Sequence, residues 1–325
     1  SDQVNLVFRE ESADVPSHKL MALGYQLASR LSDSRNKDTE FSLFQDNLKA
    51  TLFKMAKEHP FHMLPILFAL KNGDKTKDFP GSRGGTGMAF QANASRIAAA
   101  SELIDKVQGL NQRMNNIISE LDCATQGYIE IAMSDFDPKA RSAPFPAKWR
   151  RKFCKELGHI PLLSVLLPFD LTLAYDDLPT IASIDEKMSF PGGINKPKLV
   201  TIVDSRGQTR RQLVKGKDDL RQDAVMEQFF RICNAFFQEA KSTASRNLAI
   251  GTYFALPFSP SSGLLEWIDD TESLEDFITD GNRKYHRRKS EVLGKLAEVQ
   301  GRKGYDKVPL KEKVKLFQYC VKEVG

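Results

Sequence analysis

The sequence predicts an α+β fold: a helical-repeat, solenoid-like region, then a small antiparallel sheet of five strands packed with helices. Apolar residues recur at helical spacing through roughly the first 145 positions. After Pro161 the runs "PKLVTIVD" and "RRQLVKG" are β-rich and meet at "SRGQ", which reads as a hairpin with Gly207 in its turn. Between the two regimes stands "DFDPKARSAPFPAKW", whose prolines mark the expected domain boundary.

The helical part is read element by element. Ser17 is placed to cap a helix carrying Leu20, Leu23, Leu27 and Leu31 on one face. Phe41, Phe44, Leu48 and Leu52 repeat that face until Pro60, and "FHMLPILFAL" follows almost at once. Short breaks between amphipathic helices predict stacked antiparallel pairs, although no repeat of fixed length marks them. "DKTKDFPGSRGGTGMAF" interrupts the pattern and predicts a linker, or a place where residues are omitted, near 75–90. Its glycines are not followed by G-K-[ST], so they do not form a phosphate loop of that kind. From about Asn93 to Asp122 the sequence predicts one long helix with a stripe of Leu103, Val107, Leu110, Met114, Ile117 and Leu121. The stripe needs a partner helix, in this chain or in another. Residues 1–145 thus form the helical region and 146–185 a connecting helix and loop.

In the third part, residues 186–280, "MSFPGGINK" offers a strand running into a glycine pair, and the hairpin follows. "DDLRQDAVMEQFFRICNAFFQEA" has helical spacing through Leu220, Val225, Phe229, Cys233 and Phe236. "NLAIGTYFALPF" and "GLLEWID" supply two more strands. The order is three strands, a helix and two strands, the order of the small lobe of a protein-kinase-like ATP site.

Composition narrows the function classes. The chain has 325 residues, 41% hydrophobic and 27% charged, enough for a sizeable core and two domains. No run of about 18 apolar residues and no signal-peptide pattern is present, so the sequence predicts an intracellular chain with no membrane span. Cys123, Cys154, Cys233 and Cys320 are too scattered for a disulfide framework or a zinc site and are read as buried thiols. The histidines show no metal-binding spacing and are assigned structural or surface roles. The net charge of +5 is local: residues 281–325 hold 13 Lys and Arg against 5 Asp and Glu. "NRKYHRRKS" could touch nucleic acid or an acidic partner, but such runs are more often solvated.

Phosphoryl transfer needs a cation on a rigid strand to hold nucleotide phosphates and a carboxylate on the neighbouring helix to orient it. Lys215 ends a strand, with Asp218, Asp219 and Asp223 just beyond it. Each feature alone has a bland explanation, a surface lysine or a favourable helix dipole. Their combination with a Gly-Gly loop and an aromatic after the fifth strand is more specific.

The stretch "LVKGKDDLRQDAVMEQFF" resembles the phosphatidylinositol-3-kinase-related protein kinases, and "KGKDDLRQDAVM" with "SGLLEW" is most similar to the ATM and fungal telomere-length branch. The likeness runs from about Met188 to Trp267, and the helical first half is similar to the end of that family's FAT domain. The resemblance implies that Lys215 grips ATP phosphates, with Asp223 as its partner and Asp218 a second candidate. It implies that Gly192 and Gly193 form the short loop over the phosphates, where a side chain would obstruct. Glu266 and Ile268 would offer backbone groups to adenine, with Trp267 against its ring.

No D-R-H-x-x-N loop and no D-F-G or D-L-G motif occurs, so the resemblance implies that catalytic groups and Mg ligands lie outside this chain and that the chain alone is inactive. The family further implies phosphorylation of Ser-Gln and Thr-Gln sites in the DNA-damage and telomere response, a nuclear location, homodimers and activation by the double-strand-break sensor complex, with DNA met indirectly. A phosphoinositide lipid kinase and a pseudokinase scaffold are the alternatives. "DDLRQDAVM" speaks against the first, and retention of Lys215, Asp223 and Trp267 against the second.

Overall fold

The computed structural model describes residues 2–32, 39–75, 94–137, 139–192, 195–274, 277, 294–298 and 307–324. The chain divides into two compact units, Ser1–Trp267 and Ile268–Gly325.

The first unit begins with helix α1 (Asp2–Asp14), which the sequence reading did not anticipate. A 3₁₀ turn (Ser17–Leu23), α2 (Gly24–Ala28), α3 (Thr39–Glu58) and α4 (Pro60–Lys71) follow. Pro60 opens α4, where its missing N–H leaves no helical bond unmade. Ser17 is not a helix cap: Pro16 holds that position, and the buried Ser17 hydroxyl donates to Glu58 Oε2 at 2.5 Å.

The long helix expected over 93–122 is two helices, α5 (Ala94–Gln108) and α6 (Gln112–Met133). The chain turns at Gly109 and Leu110, and the Asn111 side chain accepts the Met114 N–H at 2.9 Å, capping α6. Leu103, Val107, Met114, Ile117 and Leu121 are all buried in one core within this chain, while Leu110 lies exposed at the corner. The stripe therefore has its partner in the same chain. The linker expected near 75–90 falls almost wholly outside the described residues.

The sheet is antiparallel throughout, as the α+β reading requires, but larger than the five strands expected. Its strands are β1 (Ser142–Pro144), β2 (Ile181–Ile184), β3 (Lys187–Ser189), β4 (Lys198–Asp204), β5 (Thr209–Gly216), β6 (Ala255–Ser259) and β7 (Ser262–Glu266). The order among the described residues is β1-β3-β4-β5-β7-β6, with β2 also pairing β4. The two unexpected strands, β1 and β2, span only three and four residues, too short for a period-2 pattern. Helix α7 (Ala147–Lys155) lies between them, and α8 (Arg221–Glu239) and α9 (Lys241–Ala244) join β5 to β6.

The β4–β5 hairpin forms as expected. Asp204 Oδ1 accepts the backbone N–H groups of Arg206 and Gln208, and Gly207 takes the positive φ of 77° that the turn requires. On β4 every second residue from Lys198 to Asp204 is buried. On β5 the buried residues are Gln212, Val214 and Gly216, which face α6; the Tyr128 hydroxyl donates to Gln212 Oε1 at 3.1 Å. At Gly216 an added Cβ would overlap the Ala132 carbonyl oxygen, so the close approach of β5 to α6 requires glycine.

The second unit contains the helix Leu310–Val324 and a short helical stretch at 294–298. "NRKYHRRKS" lies outside the described residues. The thiols of Cys123, Cys154 and Cys233 are free but half-buried, not buried; Cys123 and Cys154 pack against the edge of the main core.

Candidate functional site

Alternation along β5 sends Lys215 to the opposite face from Gly216, together with Leu213. Leu213 packs against Leu220, Ala224, Ala255 and Leu265, so this is the face beneath α8. Lys215 pairs directly with Gly263 of β7, where an added Cβ would press on Leu220 and the Leu256 carbonyl. A glycine there keeps the strands close beside the lysine.

Lys215 Nζ stands 3.3 Å from Asp218 Oδ2, the two side chains being 26% and 43% exposed. A pair this exposed contributes only about 0–1 kcal/mol to stability, so its role is to aim the ammonium. The other carboxylates of the segment are engaged elsewhere. Asp219 binds the Arg221 guanidinium through both oxygens, at 2.7 and 2.5 Å. Asp223, in the first turn of α8, accepts a hydrogen bond from the Tyr253 hydroxyl at 3.2 Å.

Sequence reading missed two members of this cluster. Glu227, one turn beyond Asp223 and only 2% exposed, accepts the Tyr253 backbone N–H at 2.9 Å. Two carboxylates at i and i+4 on α8 therefore clasp Tyr253, the residue that leads into β6. Burial, and then the charge of Asp223, push the Tyr253 phenol up to about 12. The i, i+4 spacing of Asp223 and Glu227 was the visible signal; nothing local pointed to Tyr253.

The remaining predicted residues lie on other stretches of the chain. Gly192 has φ 110° and open space where a Cβ would stand. Gly193 lies outside the described residues. Glu266 closes β7, and its Oε2 accepts the Phe254 N–H at 3.0 Å. The Trp267 N–H donates to the Arg211 carbonyl at 3.1 Å, and the Arg211 guanidinium lies 5.7 Å from the indole ring centre. Ile268, 40% exposed, opens the second unit, and its carbonyl accepts the Thr271 hydroxyl.

The residues present fit a nucleotide. Beyond Asp218, Lys215 has no partner among the described residues, which leaves its ammonium donors for phosphate oxygens. The unobstructed backbone at Gly192 can approach such a group closely. Among the described residues no group of three or more His, Cys, Asp or Glu side chains is arranged for a metal ion. No described helix is long and apolar enough to cross a membrane.

A lysine on a central antiparallel strand, paired to an acidic segment that leads into the following helix, is the pattern that the resemblance implies for the nucleotide lobe of a kinase. Comparison with known proteins shows the family. Residues 211–323 match the family described as phosphatidylinositol 3- and 4-kinase. The chain is 31% identical over 293 residues to the serine/threonine-protein kinase tel1 of Schizosaccharomyces pombe, covering 88% of this chain and 10% of that protein. It is 36% identical over 275 residues to the serine/threonine-protein kinase ATM of Arabidopsis thaliana, covering 83% and 7% respectively. A solved structure of the open conformation of CtTel1 superposes with a TM-score of 0.79 at 25% identity, over 98% of this chain and 12% of that one. The chain belongs to the phosphatidylinositol-3-kinase-related kinases of the Tel1 and ATM type. It spans about a tenth of the length of these relatives.

Proposed function

We propose that the protein carrying this chain transfers the γ-phosphoryl group of ATP to serine and threonine hydroxyls, and that this chain supplies the lobe that grips the nucleotide. The single observation that carries the reading is Lys215 on β5, aimed by Asp218 at 3.3 Å on the face beneath α8. In this reading Lys215 binds phosphate oxygens and Asp218 holds the ammonium in place. Asp223, through Tyr253, fixes the start of α8 relative to β6. Gly192 and Gly193 cover the phosphates, and Glu266 and Ile268 meet adenine with Trp267 beside its ring. Bound ATP supplies the phosphoryl group, and Mg takes its ligands from residues outside this chain.

The finer assignments follow the Tel1 and ATM relatives: Ser-Gln and Thr-Gln sites as protein substrates, DNA-damage and telomere signalling in the nucleus, and activation through the double-strand-break sensor complex, which links the kinase to DNA. A CtTel1 structure described as a complete dimer with C2 symmetry supports homodimerisation. Residues 1–145 act as the FAT-like helices, 146–185 as the connector, 186–280 as the nucleotide lobe and 281–325 as the basic passage to a second lobe. A lipid-kinase reading draws on the family match over 211–323, and the assay below separates the two.

The test compares full-length protein with its Lys215→Met variant for transfer of labelled phosphate from ATP to a Ser-Gln peptide and to phosphatidylinositol vesicles. Peptide phosphorylation that falls by about 10²-fold or more in the variant is expected, the scale of losing a group that stabilises developing charge. An unaffected variant, or transfer to lipid alone, overturns the reading.

A further inference from the structure

A cavity of about 420 Å³ is lined in part by α8, within the size range of small-molecule sites. Five stretches of the first unit enclose it: the 3₁₀ turn with α2, the start of α4, the loop 161–169, the middle of α8 and the start of β6. Its inner wall is deeply buried and apolar, formed by Leu162, Leu163, Ala224 and Leu256. Its mouth is apolar too, because Leu166, Phe169 and Ile232 are 57%, 42% and 43% exposed. Exposed large hydrophobics gathered at the rim of a cavity mark a binding surface more often than chance scatter does.

The polar groups are few: His18, Tyr25, His62, Gln228 and Arg231. No acidic side chain lines the cavity among the described residues, and Arg231 brings a half-buried guanidinium with no ion-pair or hydrogen-bond partner among them. Tyr25 lines the same wall within electrostatic reach of Arg231, and its hydroxyl also lacks a partner there. Burial pushes the Tyr25 phenol up to about 12, against the pull of Arg231, so it stays a neutral donor at physiological pH. His62 is not a competing cation: burial lowers its pKa, and its Nε2 is hydrogen-bonded to the Leu167 carbonyl at 3.0 Å.

We propose that this cavity binds a monomeric anionic amphiphile, an apolar body of small-molecule size bearing a single carboxylate-like group. The apolar body fills the space between the loop 161–169 and α8. The anion accepts from the Arg231 guanidinium and the Tyr25 hydroxyl, satisfying donors that the apolar wall leaves unmatched. An uncharged ligand of the same shape would leave the guanidinium unpaired and bind less well.

The test uses full-length protein and a straight-chain carboxylic acid carrying a diazirine, kept below its micelle concentration, beside its methyl ester. After irradiation the adducts are mapped by peptide mass spectrometry. The proposal expects saturable adducts in residues 159–170 and 221–239, with the acid labelling at least fivefold more than the ester. Ala235→Trp, which fills the cavity from α8, should cut labelling at least fivefold, and Arg231→Met should abolish the preference for the acid. Adducts outside these segments, equal labelling by acid and ester in the unmodified protein, or none because another part of the protein covers the mouth, would overturn it. The acid and ester comparison needs no variant, so it decides even where a variant fails to fold.

Discussion

Lys215 Nζ lies 3.3 Å from Asp218 Oδ2, across the short turn that joins β5 to α8. Both groups are partly exposed, so the pair adds little to stability; what it fixes is where the ammonium points. Asp218→Asn should therefore leave the melting temperature nearly unchanged while raising the KM for ATP by about tenfold, equivalent to ~1.4 kcal/mol. Steady-state kinetics of the full-length kinase against a fixed peptide would check this. An unchanged KM would move the aiming role to another carboxylate.

Asp223 and Tyr253 share one hydrogen bond, so their substitutions should not add. Asp223→Asn and Tyr253→Phe are each expected to weaken ATP binding, and the double variant to be no worse than the more damaging single change, within about 0.5 kcal/mol. A double-mutant cycle on nucleotide affinity measures the coupling directly. Strict additivity would mean that the two residues act separately.

Lys198 gives the fold an alkaline signature. It is 2% exposed, faces α6 from β4 and donates to the Ala132 carbonyl at 2.6 Å, in the last turn of that helix. A cation at a helix C-terminus is favourable, but burial dominates and lowers its pKa from 10.5 to about 8. Asp135 opposes the shift, and Lys217 and Lys196 add to it. Between pH 8 and 10.5 the unfolded chain holds the extra proton, so stability rises with pH there and is lost as pH falls through 8. Thermal unfolding midpoints across that window should climb in the unmodified protein and flatten in Lys198→Met.

Gly216→Ala places a Cβ against the Ala132 carbonyl, and Gly127→Ala places one within 2.6 Å of the Trp149 ring. Each overpacks an interface that α6 makes, and each should destabilise by about 1–3 kcal/mol. Faster hydrogen exchange in α6 is the expected readout, with β5 also affected in Gly216→Ala. Gly192→Ala makes a useful contrast. Space is open there, so its cost should come from the positive φ and appear in nucleotide affinity instead of in α6.

What the sequence made legible was what local periodicity and chain order encode. The hairpin at Gly207, the helix after Lys215 and the final strand pair were readable because each is written in adjacent residues. The Gly109 break was hidden because the apolar stripe keeps its four-three spacing straight through the turn. β1 and β2 were hidden because pairing, not pattern, makes them strands. Tyr253 could not be found from its neighbours, since its partners Asp223 and Glu227 lie 30 and 26 residues earlier and meet it only when β6 returns beside α8. The cavity beside α8 was equally invisible, because five separate stretches enclose it.

The central claim is that Lys215 faces the phosphates of a bound nucleotide. An acyl-phosphate derivative of ATP tests it most directly: a lysine amine at that position attacks the acyl carbonyl, releases ATP and keeps the acyl group as a stable amide. On the full-length protein the account predicts acylation of Lys215, suppressed by excess ATP and absent in Lys215→Met. Labelling that excess ATP fails to suppress, or ATP-protected labelling confined to other lysines, would contradict it.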